Sequence, residues 1–134
     1  MLLTTLLTAC GPTPAGPSPF APFSQTDLIV GTGAEAVNGR TIKVQYTLWL
    51  YDPSKTDNKG LQLESSAGGD PFSFVLGRGQ VIQGWDRGVA GMREGGRRRL
   101  IVPPSLGYGE NRSAKVPPNA TLLFDIDLLE VGAE

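Results

Sequence analysis

The residues that usually carry enzyme chemistry are nearly absent from this sequence, which has no histidine and a single cysteine, Cys10. This inventory excludes zinc sites, cysteine–histidine nucleophile pairs and serine–histidine–aspartate triads. It also excludes a disulfide within the chain. The net charge of −1 gives no electrostatic reason to expect a nucleic acid as partner. An enzyme with this composition works without the usual proton shuttle and without a thiol in its folded body.

Residues 81–92 are the stretch that most clearly predicts a helix seated inside a core. Its apolar residues recur at steps of one, three and four, which is typical of a single helical face. They are Val81, Ile82, Trp85 and Val89. Glycines flank the stretch on both sides, so the predicted helix is short. We expect a sheet to wrap around this helix, with Trp85 as the floor of a pocket.

Alternating apolar and polar residues predict the strands that surround this helix. The clearest strand runs from residue 41 to residue 51 and turns one apolar face towards a core. Further strands are expected at residues 27–30, 61–64, 71–76, 97–102 and 121–131. Many strands with one short helix predict an α+β domain, in which an antiparallel sheet packs against that helix.

Three adjacent arginines, Arg97, Arg98 and Arg99, open the strand predicted at residues 97–102. Such a triplet suggests a phosphate-binding patch. The chain has no basic excess, however, and this favours a strand that carries charge on its solvent face. We therefore expect the triplet to be a solvated surface feature.

The N-terminal segment predicts an anchor and a spacer in front of a domain at residues 27–134. Residues 1–10 are an apolar leader whose end, LTAC, resembles the lipobox of bacterial lipoprotein signals and would make Cys10 the lipidated N-terminus. The leader is shorter than the roughly 20 residues that span a bilayer and lacks a basic start. It is either the end of a longer signal, which the position of the cysteine favours, or an arbitrary apolar leader. Residues 11–26, rich in proline, predict a stiff spacer or an untidy tail.

Six motifs, taken together, resemble the FKBP-type peptidyl-prolyl cis-trans isomerases over residues 27–131. They are VQYT at 44–47, PFSFVLG at 71–77, QVIQGWD at 80–86, GVAGM at 88–92, PSLGYG at 104–109 and PPNATLLF at 117–124. One such motif alone means little, but this set has the order and spacing of that family. The resemblance implies a five-stranded antiparallel sheet wrapped around one short helix, with an aromatic cavity between them.

The resemblance also implies the site residues. The aromatic wall would comprise Tyr46, Phe72, Trp85, Tyr108 and Phe124, and the aliphatic contacts Leu63, Val81, Ile82 and Val116. Catalytic contacts are implied for the backbone N–H of Ile82, the hydroxyl of Tyr108 and the carboxylate of Glu64. Without the resemblance, the buried aromatics would be ordinary core residues and Glu64 a solvated carboxylate.

This sequence departs from the family pattern at two of these positions. Leu63 and Glu64 stand where the family usually has phenylalanine and aspartate, and the loop after Tyr108 is slightly shorter than in the common small members. These changes bear on substrate preference and on affinity for macrolides more than on the fold.

The implied function is catalysis of X–Pro bond rotation during protein folding, without covalent catalysis, metal or other cofactor. Proline-containing polypeptides are the expected partners, and macrolide immunosuppressants are further candidate ligands. A monomer is expected, outside the cytoplasm, with membrane contact only through a lipid on Cys10. The alternative is a non-catalytic module or chaperone that grips proline-containing segments with the same pocket.

Overall fold

The structure, a computed structural model, describes residues 20–110 and 115–132. The predicted leader, with Cys10, and residues 11–19 of the predicted spacer lie outside these residues. The described strands are β1 (Ser24–Ile29), β2 (Thr41–Tyr51), β3 (Lys59–Ser65), β4 (Phe72–Val75), β5 (Arg97–Val102) and β6 (Leu122–Val131). The helix α1 spans Gln83–Gly88, and two short 3-10 turns lie at Thr56–Asn58 and Pro104–Leu106. In this part of the chain, no helix is long and apolar enough to cross a membrane.

All six strands belong to one antiparallel sheet, in the order β1-β5-β6-β2-β3. The short strand β4 pairs with the beginning of β2, where Thr41 lies opposite Val75. β3 pairs with the end of β2, where Thr47 lies opposite Ser65. Because β6 occupies the other edge of β2, β3 and β4 share one edge, and the sheet is five strands wide. The expected antiparallel α+β fold is confirmed, with six strands in place of five.

The two central strands, β2 and β6, supply most of the core. Their inward residues alternate with outward ones, as expected for strands that bury one face. The buried inward residues are Ile42, Val44, Leu48, Leu122, Phe124, Ile126 and Leu128. Each fully buried aliphatic side chain of this kind stabilises a fold by roughly 1.5–3 kcal/mol relative to an exposed one. The register places Tyr46 opposite Ile126 and Leu48 opposite Phe124, so these four side chains share the face that packs on α1.

The helix α1 is shorter than the apolar pattern predicts, because its six residues start only after Ile82. Ile82 has extended backbone angles (φ −60°, ψ 153°), and helical hydrogen bonding begins at its carbonyl. Gly91, with φ +88°, lies in the turn that follows the helix. Val81 and Ile82 therefore belong to the loop that enters the helix, whereas Trp85 lies within α1 and the buried Val89 caps its end.

The expectation that the whole arginine triplet faces solvent is wrong for Arg98. Successive residues of a strand point to opposite faces of a sheet, so the middle arginine must face inward when its neighbours face outward. Arg97 and Arg99 pair on the outer face with Asp127 and Asp125, each at 2.7 Å. Arg98 is only 6% exposed.

The first strand begins at Ser24, within the stretch that the sequence assigned to the spacer. Its pairing explains the difference: Ser24 lies opposite Ile101 and Asp27 opposite Arg98 along β5. Polar residues at the start of β1 hide the strand from a hydrophobic pattern, because every residue of this edge strand is exposed. Hydrogen bonding to β5, rather than burial, therefore defines where β1 starts.

Candidate functional site

The helix and the concave face of the sheet enclose a cavity of about 360 Å³. This volume lies near the lower end of the roughly 300–1,000 Å³ that ligand pockets usually have. The lining combines aromatic and aliphatic side chains with one carboxylate, one amide and two phenolic hydroxyls. The lining residues are Tyr46, Leu48, Glu64, Phe72, Gln80, Val81, Ile82, Trp85, Tyr108 and Phe124. Such a site suits a small apolar group with a few polar neighbours.

Trp85 forms the centre of this cavity and is 4% exposed. The ring of Tyr46 lies 5.0 Å from the indole, Phe124 lies 5.4 Å away and Phe72 lies 5.8 Å away, measured between centroids. All three rings are close to perpendicular to the indole, at 79–83°. Edge-to-face pairs of this kind contribute about 0.5–1.5 kcal/mol each beyond the area that they bury. The indole is therefore held by rings on several sides and forms a rigid floor.

Phe72 lies at the mouth of the cavity, since 40% of its surface is exposed. It stands at the start of β4, opposite Val44 of β2, and its ring stacks on Phe74 at 5.9 Å. Phe74 in turn is buried and lies 5.5 Å from Trp85. Because Phe74 supports its ring, Phe72 can keep this position with or without a ligand. It is therefore positioned to cover a ligand in the cavity.

The loop that leads into α1 is held by a carboxylate of the helix itself. Gly77 and Gly79 both have positive φ angles, and their N–H groups donate to the two carboxylate oxygens of Asp86 at 2.8 and 3.0 Å. The N–H of Val75 donates to the side-chain oxygen of Gln80 at 3.0 Å. These bonds set the path of the chain just before Ile82. The N–H of Ile82 forms no hydrogen bond within the described part of the chain, which leaves a donor at the cavity wall.

At the rim, Glu64 of β3 is the charged member of the lining. Lys115 Nζ lies 3.7 Å from its Oε2. Burial, followed by the interaction of its hydroxyl with the Glu64 carboxylate, raises the pKa of Tyr46 to about 12. Burial, and then the charge of Glu64, also raises the pKa of Tyr108. Both phenols therefore keep their protons at neutral pH and remain hydrogen-bond donors.

The structure brings together most of the site residues expected from the sequence. Tyr46, Glu64, Phe72, Val81, Ile82, Trp85, Tyr108 and Phe124 all line the cavity. Leu63 and Val116 do not: Leu63 packs half-buried against the core, and Val116 is itself a core residue. The functional role of each residue stays a prediction. In the described part of the chain, no cluster of three or more carboxylates, thiols or imidazoles could hold a metal ion.

Two lining residues, Leu48 and Gln80, were missed by the sequence reasoning. Leu48 could have been found from periodicity, because it lies two residues after Tyr46 on the same face of β2. No pattern identifies Gln80. Its place in the lining follows from the path of the loop that Asp86 holds.

Comparisons with known proteins agree with this fold. Residues 33–129 match a family model described as FKBP-type peptidyl-prolyl cis-trans isomerase. An FK506-binding protein of Neisseria meningitidis serogroup B is 46% identical over 106 residues, which cover 78% of this chain and 92% of the relative. The chloroplastic peptidyl-prolyl cis-trans isomerase FKBP16-4 of Arabidopsis thaliana is 45% identical over 109 residues, which cover 78% of this chain and 46% of that protein.

Two solved structures have a similar backbone. The crystal structure of AtFKBP13 superposes with a TM-score of 0.68 at 37% identity and covers 81% of this chain and 91% of its own. That of FkpA from Escherichia coli gives a TM-score of 0.70 at 33% identity, over 82% of this chain and 48% of its own. Sequence and backbone therefore point to the same family.

Proposed function

The chain belongs to the FKBP-type peptidyl-prolyl cis-trans isomerases, and we propose that its X–Pro bond rotation takes place in the aromatic cavity above Trp85. The observation that carries this proposal is the floor itself. A buried indole is surrounded by three nearly perpendicular rings, in a cavity that opens past Phe72. A proline ring is a compact apolar group that can pack on such a floor.

The reaction needs no nucleophile, because no bond is broken. Resonance gives the C–N bond partial double-bond character, which creates a rotation barrier of about 18–20 kcal/mol. Uncatalysed exchange of an X–Pro bond takes roughly tens to hundreds of seconds. A catalyst must therefore favour the twisted amide over the planar one.

An apolar cavity can favour the twisted amide through desolvation. The planar amide carries more charge on its carbonyl oxygen, and water stabilises that charge. The twisted transition state has less charge there and a more localised lone pair on nitrogen. Transfer into a lining dominated by Trp85, Phe124 and Tyr46 therefore costs the planar state more than the twisted one. Each 1.4 kcal/mol of difference changes the rate about tenfold.

We propose that two donors hold the substrate backbone while the bond rotates. The N–H of Ile82 has no partner in the described part of the chain, and the hydroxyl of Tyr108 stays protonated at neutral pH. We assign both to carbonyl groups that flank the rotating bond, where they favour the bent chain over the extended one. The hydroxyl of Tyr46 interacts with the carboxylate of Glu64, and we assign to Glu64 the orientation of that ring at the rim.

The ligands proposed for this cavity are proline-containing segments of unfolded polypeptides and, in addition, macrolides such as FK506. The second class is suggested by the name of the Neisseria relative, an FK506-binding protein.

We also propose that the protein is a monomer. On the basis of the LTAC motif, we propose that a lipid on Cys10 holds it outside the cytoplasm. Mass spectrometry of the protein, expressed with its upstream coding region in a bacterium, would reveal that lipid, and an unmodified Cys10 would contradict it.

A tetrapeptide isomerisation assay tests the proposed mechanism. Wild-type protein should accelerate Xaa-Pro exchange, and Trp85→Leu and Tyr108→Phe should each lower kcat/KM while the far-UV circular dichroism stays that of the folded domain. If wild-type protein binds the peptide without accelerating its exchange, the chain is a binding module and the catalytic proposal fails. If it is active and both variants keep full activity, the assignment of the cavity is wrong.

A further inference from the structure

Arg98 is a buried arginine that lies beneath the end of α1. Its side chain is 8% exposed, and its guanidinium donates four hydrogen bonds. Nη1 donates to the carbonyl of Gly88 at 2.8 Å and to that of Ala90 at 3.0 Å. Nε and Nη2 donate to the two carboxylate oxygens of Asp27 at 2.6 and 3.4 Å. One side chain thus joins the last turn of the helix, β5 and β1.

The residues next to Arg98 on the same face of β5 form a seat for the helix. A Cβ atom added at Gly88 would lie 2.6 Å from Leu100, and one added at Gly84 would lie 2.7 Å from Val102. The two glycines are four residues apart, so they lie on one side of α1. They allow the helix backbone to rest directly on Leu100 and Val102. Arg98 is the next inward residue of the same strand and reaches the end of the helix.

A helix of this length needs such external support. Isolated helices shorter than about 12–15 residues are marginal in water, and α1 has only six residues. The last carbonyl groups of a helix also have no partner within it. Arg98 supplies donors to the carbonyl of Gly88, the last helical residue, and its positive charge is favourable at a helix C-terminus. The glycine contacts set the distance between α1 and the sheet, and Arg98 holds the C-terminal end of α1 in place.

We propose that Arg98 is a positioning residue for catalysis, which sets the orientation of Trp85 by fastening the end of α1 to β5. Trp85 lies one helical turn before Gly88, so a rotation or slide of the helix end moves the floor of the cavity. The inference rests on the proposed role of that cavity. Asp27 takes part in the same positioning, because its carboxylate orients the guanidinium of Arg98 through two parallel hydrogen bonds.

The two neighbouring arginines provide the contrast that makes this assignment specific. Arg99 has the same chemistry and the same two-oxygen contact with a carboxylate, Asp125. Its bonds lie on the outer face of the sheet and touch no part of α1. An effect of Arg98 on the cavity should therefore be absent from Arg99, although both lie on the same strand.

The test compares Arg98→Met, Arg98→Lys and Asp27→Asn with the matched control Arg99→Met, all in a Trp49→Phe background. That background leaves Trp85 as the only tryptophan, because the chain has two. Three quantities are measured under conditions in which each variant is folded: kcat/KM for a proline tetrapeptide, the emission maximum of Trp85, and its quenching by acrylamide. The last two report the surroundings of the indole directly.

We expect Arg98→Met to lower kcat/KM roughly tenfold, within the loss of about 100-fold that a misplacement of 1 Å can cause. Its Trp85 emission should shift to the red, with faster quenching. Arg98→Lys should recover part of the loss, because an ammonium can donate to Gly88 but cannot pair with both oxygens of Asp27. Asp27→Asn should lie between wild type and Arg98→Met, and Arg99→Met should match wild type within twofold. If Arg98→Met does not fold, Arg98→Lys and Asp27→Asn carry the comparison.

Two results would overturn the inference. One is full activity with an unchanged Trp85 spectrum in the Arg98 and Asp27 variants that fold. The other is an activity loss without any change in the Trp85 spectrum, since the loss would then not arise through the indole. Trp85→Leu separates this failure from a failure of the proposed function. If Trp85→Leu keeps full activity, the cavity is not the site, whereas the emission of Trp85 still shows whether Arg98 positions it.

Discussion

The floor and the rim of the cavity are built by different forces. The floor, which consists of Trp85, Tyr46 and Phe124, rests on paired central strands and on a helix seated through glycines. The rim, at Glu64 and Lys115, depends on one ion pair of 3.7 Å between partly exposed side chains. In a packed core, a change of even one methylene group alters the stability of the fold. An exposed ion pair, in contrast, contributes only roughly 0–1 kcal/mol to stability.

Because of this difference, we expect the floor and the rim to have different functions. The floor has one arrangement, because the register of β2 against β6 places Leu48 opposite Phe124 and any slip would turn these side chains outward. The contacts of the rim can change with little loss of unfolding free energy. We therefore expect substitutions in the floor to affect rate and stability together, and substitutions in the rim to tune ligand preference.

The largest loss of stability among these predictions is expected for Gly88→Ala, which places a methyl group 2.6 Å from the buried Leu100. Overpacking of a core costs typically about 1–3 kcal/mol of unfolding free energy. Alanine favours a helix by up to about 1 kcal/mol over glycine, which offsets part of this cost. Chemical denaturation and the tetrapeptide assay should show losses of both stability and rate.

The control for this substitution is Gly69→Ala, in the loop between β3 and β4. An added Cβ there meets only the carbonyl of Ser66, at 3.6 Å. This variant should match wild type in both measurements. If Gly88→Ala is as stable and active as Gly69→Ala, the helix is not seated on β5 as described.

Tyr108→Phe should have an intermediate effect, on rate alone. The ring keeps its packing and loses only a hydroxyl that we assign to a substrate carbonyl. A typical hydrogen bond contributes about 0.5–1.5 kcal/mol, so kcat/KM should fall roughly two- to tenfold. Unfolding in urea should occur at an unchanged midpoint. A loss of stability equal to the loss of rate would place this hydroxyl in the fold rather than in the reaction.

The two phenols also predict the response to alkaline pH. Tyr46 titrates near pH 12 in the folded protein, whereas an unfolded tyrosine titrates near pH 10. Between these values the unfolded chain has lost a proton that the folded chain keeps, so rising pH favours unfolding. Stability should therefore fall from about pH 10 to about pH 12, and the slope should be smaller in Tyr46→Phe. Activity should stay flat from pH 6 to pH 9, and a step in that range would require another titrating group.

The smallest effect is expected for Lys115→Gln. It removes an exposed partner of Glu64 and leaves every ring of the floor in place. Unfolding free energy should change by less than about 0.5 kcal/mol, as is usual for surface substitutions. With tetrapeptides that carry glutamate or lysine before proline, the ratio of the two kcat/KM values should shift towards lysine. Equal changes for both peptides would show that the rim has no electrostatic influence on preference.

Local patterns predicted the floor better than the rim. Strict alternation in β2, and the apolar residues at every second position of β6, identified the core face, because side-chain direction in a strand follows from sequence position alone. The same rule turns Arg98 inward between Arg97 and Arg99. The net charge of the chain does not record this direction, so it does not distinguish the arginine that contacts the helix from its two neighbours.

Other features depend on how distant segments meet. Leu63 and Val116 lie beside the cavity without lining it, and Gln80 lines it, because loop paths and sheet twist decide these positions. The start of β1 at Ser24 is defined by pairing with β5, which a hydrophobic pattern does not record. The partnership of Arg98 with Asp27 spans 71 positions of sequence and has no local signature.

The measurement that tests the account most directly is kcat/KM for a proline tetrapeptide in Trp85→Leu and Lys115→Gln, side by side, with the folded fraction of each checked by circular dichroism. The account predicts a loss of tenfold or more in Trp85→Leu, because the apolar floor is what favours the twisted amide. It predicts a change of less than twofold in Lys115→Gln for a peptide with an uncharged residue before proline. Equal losses in the two variants, or full activity in Trp85→Leu, would contradict the claim that the floor carries catalysis.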